Sequence, residues 1–256
     1  MKTKVLLVAL LAFISAKAQT EPLFDKDYFR CENQWVLLPK KATDTAYTTA
    51  YLYLDRDAGF SMRLQGSLYK GKSGLWQYLP YEKTSVLIFR IPQEFDRVAV
   101  MNPQTLADAG LPTAPDWIWD YREGEDDAPQ LVRRGYYYNH VGASDIALPL
   151  LEKAYKEDPE TEQLMFELSY AYNALEKFDD AIRVLLPAVK KAPKEPLLLR
   201  ELGYAYAQQL KTTDAEAVYK KGIACSIQPD QQAEMAFNMV GAYFKTGDKK
   251  KFAEWG

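Results

Sequence analysis

The chain has 256 residues, of which 48% are hydrophobic and 26% are charged, and its formal net charge at pH 7 is −3. This is the composition of a soluble globular protein, which argues against an intrinsically disordered chain and against a membrane channel. The slightly acidic balance, with Lys249-Lys250-Lys251 as the only dense basic cluster, also argues against a nucleic-acid partner or an anionic lipid surface.

The N-terminal residues have the pattern of a secretory signal peptide. Lys2 and Lys4 precede an uninterrupted apolar run over residues 5–14, and residues 16–18 supply an Ala-x-Ala cleavage pattern. The apolar run is too short to span a bilayer, so we expect residues 1–18 to be cleaved as a signal peptide, leaving an exported chain with no membrane insertion. A short membrane anchor is the alternative interpretation.

Residues 19–121 predict a small, mostly antiparallel β-rich domain, because β-branched and aromatic residues alternate with polar ones. The predicted strands are Gln34–Leu38, Tyr47–Leu54, Phe60–Leu64, Ser85–Ile91 and Arg97–Met101. Residues 55–59 form the turn between the second and third strands, with Gly59 suited to a positive φ. We expect the last two strands to make a hairpin around Pro92, followed by a short helix over residues 104–111.

An acidic segment, residues 122–127, follows the β-rich domain. Its Glu-Gly-Glu-Asp-Asp run predicts a flexible linker between two regions of different sequence pattern.

From residue 128 onwards the sequence repeats at a step of 34 residues. A small residue followed three positions later by tyrosine recurs at Gly135 and Tyr138, Ser169 and Tyr172, and Gly203 and Tyr206, and an alanine column recurs at Ala147, Ala181 and Ala215. Small residues at fixed positions let two helix backbones cross closely, and the large residues nearby form the apolar stripe that each helix buries. A fixed period of this length indicates stacked helical hairpins.

The pattern resembles the tetratricopeptide repeat (TPR), a helix–turn–helix unit. We expect units at residues 128–161, 162–195 and 196–231, and a partial fourth unit from residue 234. The fourth unit's expected signature residues are Phe237, Val240, Gly241, Phe244 and Ala253. The first unit departs from the family pattern at Arg134, where leucine is usual. The predicted fold class is therefore α+β: a small antiparallel β-rich N-terminal domain followed, over residues 128–256, by an α-solenoid of about three and a half TPR-like hairpins.

The resemblance implies a concave binding groove lined by the first helix of each unit. Carried onto this sequence, the groove residues are Tyr136, Asn139, His140, Phe166, Tyr170, Asn173, Arg200, Tyr204 and Gln208. A tyrosine ring provides apolar contact area at low entropy cost, and an amide can pair with a peptide backbone. The implied ligand is a protein or peptide docked along the tyrosines of three successive units. In the alternative interpretation, these tyrosines only pack against neighbouring helices.

The sequence offers little for catalysis or metal binding. His140 is the only histidine and lies far in sequence from Cys31 and Cys225, so neither a hydrolase triad nor a zinc site is predicted. The Asp-x-Asp-x-Gly run at residues 55–59 hints at a calcium loop, but the later EF-hand ligands are missing and a hairpin turn is favoured. We predict a non-enzymatic protein with no cofactor and no metal ion. Whether the two cysteines pair is left open by the sequence.

An exported chain that combines a β-rich segment with TPR units is similar to exported proteins of Gram-negative bacteria. We therefore expect a scaffold for protein–protein interaction in the periplasm or at the cell surface. We also expect the C-terminal half repeat, whose Phe252 and Trp255 lie on an apolar face without a neighbouring helix, either to mediate self-association or to dock back on the protein itself.

Two alternatives remain at this stage. In the first, the β-rich domain binds a glycan or a lipid, and its aromatic residues Trp76, Tyr78, Tyr81, Trp117 and Trp119 stack on sugars, although packing in a core is the more ordinary role for such residues. In the second, the protein is an enzyme with a carboxylate site between the two regions.

Overall fold

The computed structural model describes residues 21–82 and 86–256, so the predicted signal peptide and the predicted strand start at Ser85 lie outside the described residues. The described chain begins with an antiparallel sheet and continues as helical hairpins, which confirms the predicted fold class. Within those ranges, no helix combines the length and the apolar character needed to cross a membrane.

The sheet has six described strands. They are β1 (Gln34–Leu37), β2 (Tyr47–Asp55), β3 (Gly59–Lys70), β4 (Trp76–Pro80), β5 (Leu87–Arg90) and β6 (Ala99–Val100). The order is β4-β3-β2-β1-β6, and β5 also pairs with β3. The long strand β3 holds both neighbours on one edge, because residues 66–70 pair with β4 and residues 61–64 pair with β5.

The predicted hairpin around Pro92 is wrong. Strand β5 pairs with β3, whereas β6 pairs with β1 at the opposite edge of the sheet. The prediction also ended the third strand at Leu64, but β3 continues to Lys70 and so has room for β5 beside β4. Sequence alternation indicates that a segment is a strand, but the choice of partner depends on which edges the rest of the sheet leaves open.

The predicted turn at residues 55–59 is confirmed as a hairpin turn. The Asp55 Oδ1 atom accepts hydrogen bonds from the backbone N–H groups of Asp57 and Ala58, each at 2.8 Å. Gly59 has φ 79°, and a Cβ atom there would lie 2.8 Å from the Tyr137 ring. Gly59 is therefore required both by the backbone conformation and by the close approach of the first repeat helix.

Helices make up most of the chain after the sheet. They are α1 (Pro103–Asp108), α2 (Trp119–Arg122), α3 (Ala128–His140), α4 (Ser144–Glu157), α5 (Leu164–Ala174), α6 (Phe178–Lys191), α7 (Pro196–Gln208), α8 (Thr212–Cys225), α9 (Pro229–Thr246) and α10 (Lys249–Trp255). From α3 onwards, successive helices pack as antiparallel pairs, and first helices of neighbouring pairs also contact each other.

The two faces of the sheet belong to two different hydrophobic cores. On one face Trp35, Tyr51 and Tyr53 pack with Ile118 and the ring of Trp117. The opposite face contributes to a core that continues without interruption into the first repeats. Helix α3 is therefore packed directly on the sheet, with the Phe60 and Tyr138 rings 5.2 Å apart.

Polar contacts reinforce this junction and explain a departure from the TPR pattern. Arg134 stands where leucine is usual, and its guanidinium pairs with the Glu32 carboxylate at 3.2 Å. The Tyr138 hydroxyl donates to the same carboxylate. Arg30 pairs with Asp145 at 2.9 Å. The position that would normally pack within a repeat is used here to attach the repeat to the sheet.

The acidic segment 122–127 carries ion pairs at both ends. Arg122 pairs with Glu125 within the segment, and Asp126 pairs with Lys153 of α4 at 2.6 Å. Backbone hydrogen bonds from Glu125 to Arg122 and from Asp127 to Gly124 close two successive turns. The segment is therefore a hydrogen-bonded turn leading directly into α3.

The small-residue column lies at helix crossings, as its spacing predicts. A Cβ atom on Gly135 would lie 2.5 Å from the Leu151 side chain, and one on Gly203 would lie 2.4 Å from the Tyr219 ring. A larger residue at either glycine would displace the packed side chain of Leu151 or Tyr219.

A residue with positive φ ends the first helix of each unit and gives a second measure of the repeat. These residues are Gly142 (φ 74°), Glu176 (φ 58°), Leu210 (φ 58°) and Gly247 (φ 73°). The first three are 34 positions apart, whereas the last step is 37. The fourth unit is therefore displaced by three residues from the 34-residue frame.

The signature residues predicted for the fourth unit are wrong by one position. Phe237 and Phe244 are 76% and 74% exposed, whereas Met235, Met239 and Tyr243 are buried. The prediction placed the fourth unit 38 residues after the third, because Gly241 and Phe244 imitate the small and aromatic columns. The true step of 37 turns Phe237, Gly241 and Phe244 to the outside of α9.

Candidate functional site: the concave face of the repeats

The structure brings together five of the predicted groove residues, Tyr136, Asn139, His140, Phe166 and Tyr170, around one shallow cavity of about 210 Å³. Tyr136 and His140 of α3 face Phe166 and Tyr170 of α5 across it. The Tyr136 and His140 rings are stacked with centroids 5.8 Å apart, and the Phe166 and Tyr170 rings are tilted at 6.3 Å. Tyr136 and Tyr170 remain 41% and 37% exposed, so their rings are open to a ligand.

A larger pocket of about 670 Å³ adjoins this cavity and shares Tyr136, Phe166 and Glu167 with it. Apolar side chains make up much of its wall, among them Met165, Val184, Pro187, Ala188, Leu197 and Leu198. A volume of this size is typical of sites that enclose a small ligand or a bulky side chain.

The pocket lies where helix α5 begins late. Helices α3 and α7 begin at the first position of the repeat, whereas α5 begins at Leu164, two positions later. Before it, Gln163 adopts φ 63° and has no side-chain capping bond. If α5 began at the first position of its repeat, as α7 does, its first turn would occupy space beside the end of α4. The shortened helix leaves this space open. The late start of α5 has a signal in the sequence: α3 and α7 each have a proline at or next to their first residue, and α5 has none.

Two predicted groove residues, Asn139 and Asn173, are instead buried between repeats. The Asn139 Nδ2 atom donates to the Glu167 carbonyl at 3.0 Å and to the Glu167 Oε2 atom at 2.9 Å. One repeat later, the Asn173 Nδ2 atom donates to the Glu201 carbonyl and carboxylate, both at 3.0 Å. Each asparagine is 4% exposed, so its amide joins consecutive first helices and is not presented to a ligand.

The buried carboxylates under the groove have shifted titration. Burial raises the pKa of Glu167, opposed by the hydrogen bond from Asn139. Burial also raises the pKa of Glu201, opposed by the nearby Arg200 charge. Sequence reasoning missed both residues, although a signal exists: each asparagine precedes its glutamate by the same 28 residues.

The third unit contributes differently from the first two. Arg200 is held by Glu201 at 2.9 Å and Glu234 at 3.3 Å, with its guanidinium 5.5 Å from the Phe166 ring centre. The Tyr204 ring packs edge-on against Phe178 at 6.4 Å, outside the cavity between α3 and α5. Gln208 accepts a hydrogen bond from Lys245. The open aromatic surface therefore lies in the first two units. In the third unit it is bordered by Arg200, whose charge is paired with Glu201 and Glu234.

The aromatic residues on which the glycan-binding alternative depends are mostly packed in the core of the sheet. Trp76 is 5% exposed, and Trp117 packs edge-on against Tyr51 and Tyr53. The Tyr78 hydroxyl donates to the Gln65 carbonyl at 2.7 Å. Only Trp119 presents a largely exposed ring, and the Arg122 guanidinium lies 5.2 Å from its centre.

One cavity between the sheet and the first repeat, beside Glu32, Asp55 and Glu125, has a volume of about 20 Å³, which is the space of about one water molecule. Cys31 and Cys225 are both free, and Cys31 is buried. The described residues contain no cluster of three or more potential metal ligands.

The helical hairpins from α3 onwards and their close helix crossings form a TPR-like arrangement. The sequence model of a tetratricopeptide repeat family matches residues 142–200, which span the second helix of the first unit to the start of the third. No curated protein sequence matches the chain.

Among solved structures, the chain is similar to MamA proteins. MamA 41-end from Desulfovibrio magneticus RS-1 is 17% identical, over 54% of this chain and 77% of that chain, with a TM-score of 0.47. MamA MSR-1 C2 is 19% identical, over 50% of this chain and 72% of that chain, with a TM-score of 0.44. The TPR repeats support a general role as a protein-interaction scaffold.

Proposed function

We propose that the protein is a non-catalytic scaffold of the cell envelope that binds an extended peptide segment of a partner protein in the concave face of its first two repeats. The observation that carries the proposal is the continuous surface made by the open aromatic cavity and the adjoining 670 Å³ pocket. An envelope location rests on the signal-peptide pattern of residues 1–18.

The two parts of this surface have different roles in the proposed complex. The Tyr136 and Tyr170 rings provide apolar area for the peptide backbone and carry hydroxyl groups that can hydrogen-bond to it. The pocket beside α5 accepts one bulky apolar side chain, because its wall is largely apolar and its volume exceeds that of any single residue. Buried aromatic or aliphatic anchors of this kind usually supply most of the binding energy of an interface.

The buried asparagine–glutamate pairs contribute by holding the surface in shape. Asn139 fixes α3 to α5, and these are the two helices that carry the exposed rings. A surface that is rigid before binding loses less conformational entropy when the ligand binds. Ligand contact is therefore assigned to the rings and the pocket, and positioning to the amides.

The test begins with selection of binders from a random peptide library displayed on phage, using the purified chain as bait. Selected peptides are expected to share one bulky apolar position. Their affinities are then measured by fluorescence anisotropy for wild type, for Tyr170→Ala and for Ala192→Phe, which fills the pocket mouth. Loss of an aromatic contact typically costs about 2 kcal/mol, or roughly thirtyfold in affinity.

Leu186→Ala is the matched control. Leu186 is 49% exposed on α6 and lines neither cavity, so its removal is expected to leave peptide affinity unchanged. Failure to enrich any peptide family, or equal binding by the wild type and both groove variants, would overturn the proposal.

A further inference from the structure

Helix α9 carries an exposed apolar stripe that the groove proposal does not use. Phe237, Gly241 and Phe244 follow one another at helical spacings of four and three, so they lie on one side of the helix. The two phenylalanines are 76% and 74% exposed. A Cβ atom built on Gly241 would meet no atom within 4 Å. The stripe therefore has two protruding aromatic rings (the knobs), Phe237 and Phe244, with an open space (the gap) over Gly241 between them.

The gap and the knobs are self-complementary. If two copies of α9 cross antiparallel about a two-fold axis beside residue 239, Phe237 of one copy lies over Gly241 of the other, and the reverse contact follows by symmetry. A glycine at a crossing point allows the helix backbones to approach closely, and the partner's ring fills the space where a side chain would stand.

The charges along the same side of α9 favour that antiparallel arrangement. Asp230 and Glu234 lie N-terminal to the stripe, and Lys245 lies at its C-terminal end. The same two-fold axis brings Glu234 of one copy opposite Phe244 of the other, one position from Lys245 and within reach of the lysine side chain. Glu234 contacts Arg200 at 3.3 Å and Lys245 contacts Gln208 at 3.2 Å, but both lie at the exposed surface and can share their charges with a partner. A parallel pairing would instead place like charges together.

We propose that the α9 stripe is the interface of a homodimer, formed by two antiparallel copies of α9 with Phe237 of each seated over Gly241 of the other. The occupant is a second copy of this chain, because one symmetry axis satisfies both the aromatic contact and the charge pairing. A crossing of two helices lies at the small end of stable interfaces, about 1,000 Å² in total, so we expect a dimer that dissociates on dilution.

The deciding experiment is sedimentation velocity of the full chain over a range of concentrations, with Gly241→Gln as the principal variant. Glutamine is a better helix former than glycine, and the open space around Gly241 leaves room for it within one copy. The variant is therefore expected to melt at a higher temperature than wild type while its dimer dissociates at least tenfold more readily. A merely structural role for Gly241 would not produce these two opposite changes.

Charge exchange provides an independent check. Lys245→Glu places a carboxylate near Glu234 of the partner, so it is expected to weaken the dimer. Combining it with Glu234→Lys restores a pair of opposite charges, so the double variant is expected to recover dimer affinity. Leu186→Gln, on α6, removes an equally exposed apolar side chain and is expected to leave association unchanged. A wild-type chain that stays monomeric at high concentration, or a dimer indifferent to Gly241→Gln, would overturn the proposal.

Discussion

Removal of the buried asparagine amides should weaken the repeats unequally. Asn139 makes two hydrogen bonds to Glu167 and also accepts one from the Ser144 hydroxyl at 2.9 Å. Asn173 makes the corresponding two bonds to Glu201, but its own Oδ1 atom is buried without a partner. Asn139→Ala therefore leaves more buried groups unsatisfied than Asn173→Ala, although the two substitutions are chemically identical.

The size of the difference follows from the bonds lost. A hydrogen bond between neutral groups contributes about 1 kcal/mol, and one to a charged group contributes about 2 kcal/mol. Glu201 keeps Arg200 after Asn173 is removed, whereas Glu167 has no ion pair to a described residue. We expect Asn139→Ala to lower the free energy of unfolding by about 4 kcal/mol and Asn173→Ala by about 2 kcal/mol, because the lost bond to the Glu201 carboxylate counts for only about 1 kcal/mol while Arg200 still pairs with it.

Urea unfolding followed by circular dichroism and by tryptophan fluorescence measures both changes. Circular dichroism reports mainly on the repeat helices, while four of the five tryptophans lie in the first 120 residues, so divergence of the two transitions would reveal loss of cooperativity along the array. Gln208→Ala, which removes contacts of a partly exposed side chain with Lys245 and Tyr204, serves as the control and should cost about 0.5 kcal/mol. Equal costs for the two asparagines, or a larger cost for Asn173→Ala, would refute the reasoning.

Two further predictions concern titratable groups. Burial raises the pKa of the Cys31 thiol to about 11, so a thiol reagent on the folded protein should label Cys225 promptly and Cys31 only after denaturation; prompt labelling of both would contradict this burial. Burial also raises the pKa of Glu167 in the folded state above 4.5, so the folded state holds a proton that the unfolded state has released, and stability falls as pH rises through that interval. Glu167→Gln should flatten this part of a plot of unfolding free energy against pH, and an unchanged slope would show that the carboxyl does not titrate there.

The repeat architecture could be predicted from sequence because its signal is local and recurs. Gly135 and Gly203 must be small wherever two helices cross, and the same requirement returns every 34 residues. The frame failed in the fourth unit because α9 is longer than α7, and the resulting shift left Gly241 and Phe244 in a convincing imitation of the pattern. A single unit offers no later copy against which such a shift can be checked.

The candidate site could be predicted only in part, for a related physical reason. The repeat frame predicts that Tyr136 and Tyr170 lie on the inner face of the first helices, and in the structure both rings are partly exposed beside the same cavity. Burial of Asn139 depends on Glu167 of the next repeat, which is a long-range partner. The pocket depends on where α5 begins, and helix ends are governed by a few capping contacts that a repeat frame does not describe.

The joining of the sheet to α3 makes the two ends of the solenoid unlike. At the sheet end, the apolar surface of the first repeat is already enclosed, so opening there would have to break a core shared with strands β1, β2 and β3. At the other end, α9 and α10 are supported by α7 and α8 alone within the described residues. We therefore expect local unfolding to begin at α9 and α10 and to proceed towards the sheet, because the sheet holds the first repeat in place.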